Sequence, residues 1–176
     1  MLFWSFPQPL LPLHSREVLN IGGSGYAILS GLYFAGSAIG SLLITFSIIK
    51  IRRSKILIIS ALLFAIFAML IYNSTSPIIC SILILASGVS HSIWWISMLV
   101  FIQTITKESY KGRIVGFYFS LMVSIALGSI LGGLIAEYIG IKLTIYIAMI
   151  SLIIIHLLAL FSNKFRKLDL VNQDSY

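Results

Sequence analysis

One long apolar run carries the side chains best suited to chemistry, a histidine with polar and aromatic neighbours. They recur at steps of three and four residues, which places them near one face of a helix: Ser87, His91, Trp94, Trp95 and Met98. A polar and aromatic stripe inside a membrane is expected to face a helix bundle or a water-filled path. We interpret it as the lining of a substrate cavity near the midplane. A histidine hydrogen-bonded and packed against tryptophans is the alternative.

A similar stripe of hydroxyl groups lies on an earlier apolar run. Tyr33 and Ser37 are its central members, with Ser30 before them and Ser41 after them. We predict that Tyr33 and Ser37 line the same cavity, although serines are also common where two membrane helices touch. His156 stands alone in the last apolar run, which favours a hydrogen bond to a neighbouring helix.

Other chemistries have little support in the sequence. Cys80 is the only cysteine, which excludes an internal disulfide and cysteine-ligated structural zinc. No carboxylate lies in the middle of an apolar run, and the motifs of zinc proteases and phosphate-binding loops are absent. The segment GGSG at residues 22–25 resembles the G-x-S-G of rhomboid intramembrane proteases, but no His-Asn pair accompanies it. We therefore predict neither an enzyme nor a bound metal or cofactor.

The composition indicates that lipid is the solvent for most of this chain. Of its 176 residues, 59% are hydrophobic and 10% are charged, whereas a soluble domain is about half apolar and about a quarter charged. The formal net charge of +7 could suggest nucleic-acid binding. However, the basic residues lie in short clusters between apolar runs and not on one face or arm. We predict an integral membrane protein that does not bind nucleic acid.

Five apolar runs are long enough to cross a bilayer as helices. They lack the period-two alternation of barrel strands, so an all-α membrane bundle is predicted. The expected spans are residues 24–49, 56–73, 78–106, 114–136 and 143–163. Residues 1–13 are predicted to form a partial helix, because thirteen helical residues reach only about 20 Å of a core of about 30 Å. Residues 166–176 are predicted to form a polar tail.

Lysine and arginine residues are concentrated at alternate ends of the apolar runs. Ten of the twelve lie in three clusters, at residues 50–55, 107–113 and 164–167. The positive-inside rule places these clusters and the C-terminus in the cytoplasm. Arg52, Arg53, Lys111 and Arg113 are therefore predicted to fix the topology. The alternative is a cytoplasmic gate, in which these cations pair with helix ends or acidic residues of another domain.

Pairs of glycines four residues apart indicate close contacts between helices. Gly36 and Gly40 form one pair, and Gly128 and Gly132 form another. Membrane helices gain stability from close packing, and glycine lacks the side chain that would hold two backbones apart. We predict that both pairs lie at helix contacts.

Several segments together resemble the C-terminal six-helix half of efflux-type members of the major facilitator superfamily. ESYKGRI at residues 108–114 is similar to the acidic–x–x–Arg–Gly–Arg–Val loop between the family's tenth and eleventh helices. GSILGG at 128–133 looks like its eleventh helix. GSAIG at 36–40, leading to KIRR at 50–53, is similar to the degenerate second copy of the family's basic loop motif. The resemblance covers residues 1–165.

The resemblance implies one half of a major facilitator bundle, with an N-terminal six-helix half missing upstream. It also implies efflux of small, partly apolar compounds such as drugs or siderophores from a bacterial inner membrane. Transport would be ion-coupled, with two halves rocking around a midplane site. If protons are the coupling ion, the carboxylate lies in the missing half or His91 carries the proton. An importer of the same superfamily and a truncated remnant that transports nothing are the alternatives.

Overall fold

The described part of the chain is built of helices. The computed structural model describes residues 2–46 and 53–161, and every regular element within these ranges is helical. A 3-10 turn at Phe3–Ser5 comes first, and a second at Glu108–Tyr110 separates α4 from α5. The α-helices are α1 Pro7–Glu17, α2 Gly22–Thr45, α3 Arg53–Asn73, α4 Pro77–Ile105, α5 Lys111–Ser120, α6 Val123–Ile139 and α7 Ile141–Phe161. The predicted all-α class is confirmed.

Five helical stretches of the described chain are long and apolar enough to cross a membrane. They are Gly22–Thr45, Lys55–Asn73, Pro77–Ile105, Glu108–Ile139 and Ile141–Ala159. The number and order of spans match the sequence prediction. The eleven residues of α1 rise only about 16 Å, which is too little to span.

The helix α1 ends later than predicted, and the turn to α2 is correspondingly short. Its last turn is closed by the N–H groups of Val18 and Leu19, which donate to the carbonyl oxygen of His14 at 3.0 and 3.1 Å. Asn20 and Gly22 then have positive φ angles of 54° and 60°, a left-handed conformation that asparagine and glycine adopt most readily. The chain therefore reverses within four residues, and α2 begins at Gly22 instead of residue 24.

The fourth predicted span is divided in two at residues 121–122. The N–H groups of Met122 and Ser124 donate to carbonyl oxygens three residues back, Phe119 and Leu121, both at 3.0 Å. The hydroxyl groups of Ser120 and Ser124 also donate to carbonyls three residues back, at 2.7 and 2.5 Å. These bonds compete with the regular four-residue pattern, so α5 and α6 are separate helices.

The predicted glycine pairs lie at two different contacts. At Gly36 and Gly40, an added Cβ atom would lie within 3.0 Å of a carbonyl oxygen of α4, and at Gly88 it would lie equally close to α2. The backbones of α2 and α4 therefore touch. Gly128 and Gly132 of α6 instead face the N-terminal segment, which includes Phe6 at 3.1 Å from the position of an added Cβ atom.

Candidate functional site

A cavity of about 560 Å³ lies near the middle of the bundle. Its walls come mainly from α1 to α4 and from the N-terminal turn, with Ile125 contributed by α6. Tyr33, Phe64 and His91 all line it, and each lies near the middle of its own helix. The cavity therefore reaches the depth expected for the bilayer midplane, and its lining continues to Tyr26 near the start of α2 and to Tyr72 near the end of α3.

Most of the candidate residues surround this cavity. Those that line it are Tyr33, Ser37, Ser87, His91, Trp94 and Trp95. Met98, by contrast, packs against the hydrophobic core and is not among the lining residues. Helical spacing groups these residues of α4 on one face, but it does not give the depth at which a cavity closes. A role of these residues in substrate binding stays a prediction.

His91 is fixed to the neighbouring helix by a short hydrogen bond. The distance from the Tyr33 hydroxyl oxygen to His91 Nδ1 is 2.5 Å. We assign the hydroxyl as donor and Nδ1 as acceptor, so that the neutral ring carries its proton on Nε2. Nε2–H is then the donor available to a ligand. Because Tyr33 and His91 belong to α2 and α4, the glycine contact between these helices sets the spacing of the pair.

Trp4, which the sequence did not single out, also lines the cavity. Trp4 is stacked on Phe64 of α3, with ring centroids 4.0 Å apart and an interplanar angle of 8°. Its other neighbour is Trp94 of α4, at 4.4 Å and 22°, and His91 lies 5.3 Å away. The sequence did contain a signal for Trp4. The predicted helix at residues 1–13 is too short to cross the bilayer, so its first residues are expected inside the membrane, at the depth of the predicted cavity-lining residues.

The indole N–H of Trp4 is an exception among the polar groups of the site. It is buried and has no hydrogen-bond partner within the described part of the chain. A buried donor without an acceptor costs about 1–3 kcal/mol. Within the described chain, ring stacking and packing against the core therefore hold the Trp4 side chain in place.

Trp94 differs from Trp4 because its N–H group has a partner. It donates to His156 Nε2 of α7 at 3.2 Å, and His156 Nδ1 in turn donates to the Leu152 carbonyl oxygen at 2.9 Å. Both bonds are satisfied by one neutral form of the ring. The expectation that His156 bonds a neighbouring helix is confirmed.

The cavity wall is aromatic and uncharged. Among the residues that line it in the described chain, there is no carboxylate, ammonium or guanidinium group. Its polar groups are hydroxyls, a histidine, the indole N–H groups of the tryptophans and the Gln8 amide. Ser37 already donates to the Tyr33 carbonyl oxygen at 3.0 Å, which leaves its lone pairs as acceptors. No group of three or more metal-ligating side chains occurs among the described residues.

Of the basic residues predicted for topology, Lys111 and Arg113 are described, and neither lines the cavity. Lys111 forms an exposed ion pair of 2.6 Å with Glu108, three residues earlier. Arg113 is also exposed. Arg52 lies outside the described residues, as does the side chain of Arg53 at the start of α3.

Many membrane transporters are helical bundles with a cavity near the midplane. The family model described as Major Facilitator Superfamily matches residues 1–173. The chain therefore belongs to the Major Facilitator Superfamily, whose members transport small molecules across membranes. No curated protein and no solved structure gives a significant match.

Proposed function

We propose that this chain is one half of an ion-coupled exporter of small, partly apolar molecules. The observation that carries the proposal is the uncharged aromatic cavity at mid-depth. Its volume of about 560 Å³ falls within the range of about 300–1,000 Å³ found for small-molecule sites. Its aromatic walls suit an apolar ring system, and the His91 and serine groups suit a few polar atoms.

In this proposal, a second six-helix unit covers the mouth of the cavity. Phe34 lines the cavity and yet is 68% exposed, so the wall is open on the side of α2. Gly31 of α2, with Gly112 and Gly116 of α5, has no atom of the described chain within 4 Å of an added Cβ position. These glycines would allow the helices of a second unit to approach closely. Rocking of the two units would then expose the cavity to each side in turn.

We also propose an orientation with the basic clusters and the C-terminus on the cytoplasmic side of the inner membrane. Lys111 and Arg113 lie at the start of α5, just after the short turn that follows α4, where the positive-inside rule expects the cations of a cytoplasmic turn. Arg52 and Arg53 belong to the same proposed set, as topology determinants or gate residues. His91 is the proposed proton carrier within this half, because the described cavity has no carboxylate.

The test is accumulation of a panel of aromatic dyes in cells that express the chain with a complementary N-terminal half of a related exporter. We expect lower dye accumulation than in cells with either half alone. The His91→Ala variant should restore accumulation at an unchanged membrane level. Higher accumulation with the pair would indicate import, and no change for any dye would indicate a protein that does not transport them.

A further inference from the structure

We propose that His91 and Tyr33 select the substrate of the cavity. His91 donates a hydrogen bond from Nε2–H to an acceptor atom of a neutral aromatic molecule, and Tyr33 holds the ring in the form that makes this contact. His91 is then a substrate-binding residue and Tyr33 a positioning residue. The inference rests on the proposed function, because it assigns a substrate class to the same cavity.

The hydrogen bond between the two side chains determines which nitrogen of His91 carries the proton. The Tyr33 hydroxyl oxygen lies 2.5 Å from His91 Nδ1. A phenol hydroxyl is a far stronger acid than the N–H group of a neutral imidazole, and an unprotonated imidazole nitrogen is a stronger acceptor than a phenol oxygen. The hydroxyl is therefore the donor, and the proton of the neutral ring lies on Nε2. A further proton carried by His91 in transport would be added at Nδ1, so it does not compete with a substrate at Nε2.

The Nε2 atom of His91 is open to the cavity. Four polar side-chain atoms of the described chain are buried without a hydrogen-bond partner, and they belong to Trp4, His14, Ser97 and Tyr118. His91 Nε2 is not among them, although no hydrogen bond of the described chain occupies it. Because His91 lines the cavity, the accessible space at Nε2 is that of the cavity. Nε2–H is therefore a donor that a bound molecule can reach.

The orientation of this donor is fixed by contacts between two helices. Tyr33 lies on α2 and His91 on α4. Gly88 precedes His91 by three residues, and a Cβ atom added there would lie within 3.0 Å of the Tyr33 carbonyl oxygen, so the two backbones touch beside the pair. A histidine ring otherwise has two main orientations about its second side-chain torsion, related by a half turn. The hydrogen bond from Tyr33 selects one of them.

The surroundings of His91 define the substrate class. The aromatic rings of Trp4, Trp95 and Phe64 lie around it, with centroids 5.3, 5.9 and 6.0 Å from that of the imidazole. The lining residues of the described chain carry no carboxylate, ammonium or guanidinium group, so the cavity suits a neutral molecule better than an ion. A molecule without an acceptor would leave Nε2–H buried and unpaired, which costs binding free energy. The class is thus neutral aromatic compounds that carry a ring nitrogen or a carbonyl oxygen.

The first test locates the proton of His91 by nitrogen-15 NMR on the full chain in detergent micelles, with labelled histidine. The chain has three histidines, and the resonances that are lost in His91→Phe belong to His91. We expect a protonated Nε2 and an unprotonated, hydrogen-bonded Nδ1. Tyr33→Phe should move the Nδ1 resonance to that of a free nitrogen. Tyr26→Phe, which removes another hydroxyl group from the cavity lining, is the control and should leave it unchanged. A proton on Nδ1 in the unmodified chain, or an Nδ1 resonance that does not change in Tyr33→Phe, would overturn the proposal.

The second test compares two molecules of the same shape that differ in one acceptor atom. Quinoline and naphthalene are both flat and bicyclic, and of the two only quinoline carries a ring nitrogen. Their affinities are measured by equilibrium dialysis against protein-free micelles, at a mildly alkaline pH at which quinoline is neutral. The quantity compared is the affinity for quinoline divided by that for naphthalene, because this ratio removes any change that is common to both probes.

The expected changes in this ratio follow from the contacts of the pair. A hydrogen bond of ordinary strength changes an affinity by about five-fold, so His91→Phe should lower the ratio about five-fold. Tyr33→Phe should lower it about two-fold, because the released ring spends about half its time with Nε2–H turned away. Tyr26→Phe should leave it unchanged. An unchanged ratio in His91→Phe, or equal losses in the two tyrosine variants, would contradict the assignment.

The unmodified chain decides the question if His91→Phe does not fold. The His91 resonances are then identified by elimination, with His14→Gln and His156→Gln. Quinoline should move the Nε2 resonance of His91, and naphthalene should leave it in place. Equal effects of the two probes, or no effect of either, would overturn the proposal.

The two proposals fail in different ways. A preference for quinoline that depends on His91, without dye export by the paired halves, would refute the exporter and leave substrate selection by His91 intact. Dye export combined with a ratio that His91→Phe does not change would refute this selection and leave the exporter intact.

Discussion

Replacement of Gly36 with alanine should force α2 away from α4 and destabilise the bundle. The added Cβ atom would lie within 3.0 Å of the Leu85 carbonyl oxygen, which belongs to rigid helix backbone. Gly31 of the same helix is the matched control, because an added Cβ atom there has no atom of the described chain within 4 Å. The two variants make the same chemical change in one helix, and they differ in the contact that the new methyl group meets.

The expected difference can be worked from these contacts. Alanine gains about 1 kcal/mol over glycine in a helix, and this gain is common to both variants. Overpacking costs about 1–3 kcal/mol and applies only at Gly36. The free energies of unfolding should therefore differ by about 2 kcal/mol, which corresponds to about 4–8 °C in Tm for a chain of this size. If the added methyl group moved α2 away from α4 by roughly 1 Å, the hydrogen bond of 2.5 Å between Tyr33 and His91 would also lengthen to the limit of such bonds.

The assay uses the single cysteine of the chain. Cys80 is fully buried and unpaired, so a thiol-reactive fluorophore reports unfolding when heat exposes it. Gly36→Ala should melt several degrees below Gly31→Ala, and Gly31→Ala at or above the unmodified chain. Equal melting temperatures for the two variants would refute the close contact between α2 and α4.

Three further predictions concern the site and the topology. His91→Ala should depress dye export by the paired halves at an unchanged membrane level, whereas parallel loss of protein and export would favour a packing role. Trp94→Phe and His156→Phe should each lower the free energy of unfolding by about 1 kcal/mol, and the double variant should lose less than the sum of the two. Additive losses would mean that the Trp94–His156 hydrogen bond contributes nothing to stability. In a Cys80→Ser background, Ser109→Cys should react with an impermeant maleimide only from the cytoplasmic side, and labelling from outside would reverse the orientation.

The helical spans and one face of α4 could be predicted because both are local properties of the sequence. The length of an apolar run predicts a membrane-spanning helix, and a spacing of three and four residues predicts which face of that helix carries His91 and Trp94. The division between α5 and α6 could not be predicted, since the apolar pattern is the same on both sides of residues 121–122. The break between the two helices comes from the hydroxyl groups of Ser120 and Ser124, which donate hydrogen bonds to backbone carbonyl oxygens.

The position of Trp4 depends on contacts that are distant in sequence. Its stacking partners, Phe64 and Trp94, lie on two other helices, and α3 is apolar on all sides, so nothing in its pattern singles out Phe64. For Met98, the sequence predicts a place in the cavity lining that the structure does not show. It shares the predicted face of α4 but packs against the core, because the cavity does not extend to its depth.

The most direct test of the account is whether the midplane cavity is reached by water. Ser30 lines it on α2, whereas Ile147 of α7 is 53% exposed on the outside of the bundle, where lipid is expected. In a Cys80→Ser background within the paired halves, a charged methanethiosulfonate reagent reacts only with a hydrated, ionised thiol. The account predicts that Ser30→Cys is labelled and loses dye export, while Ile147→Cys is not labelled. An unreactive Ser30→Cys, or equal labelling at both positions, would contradict it.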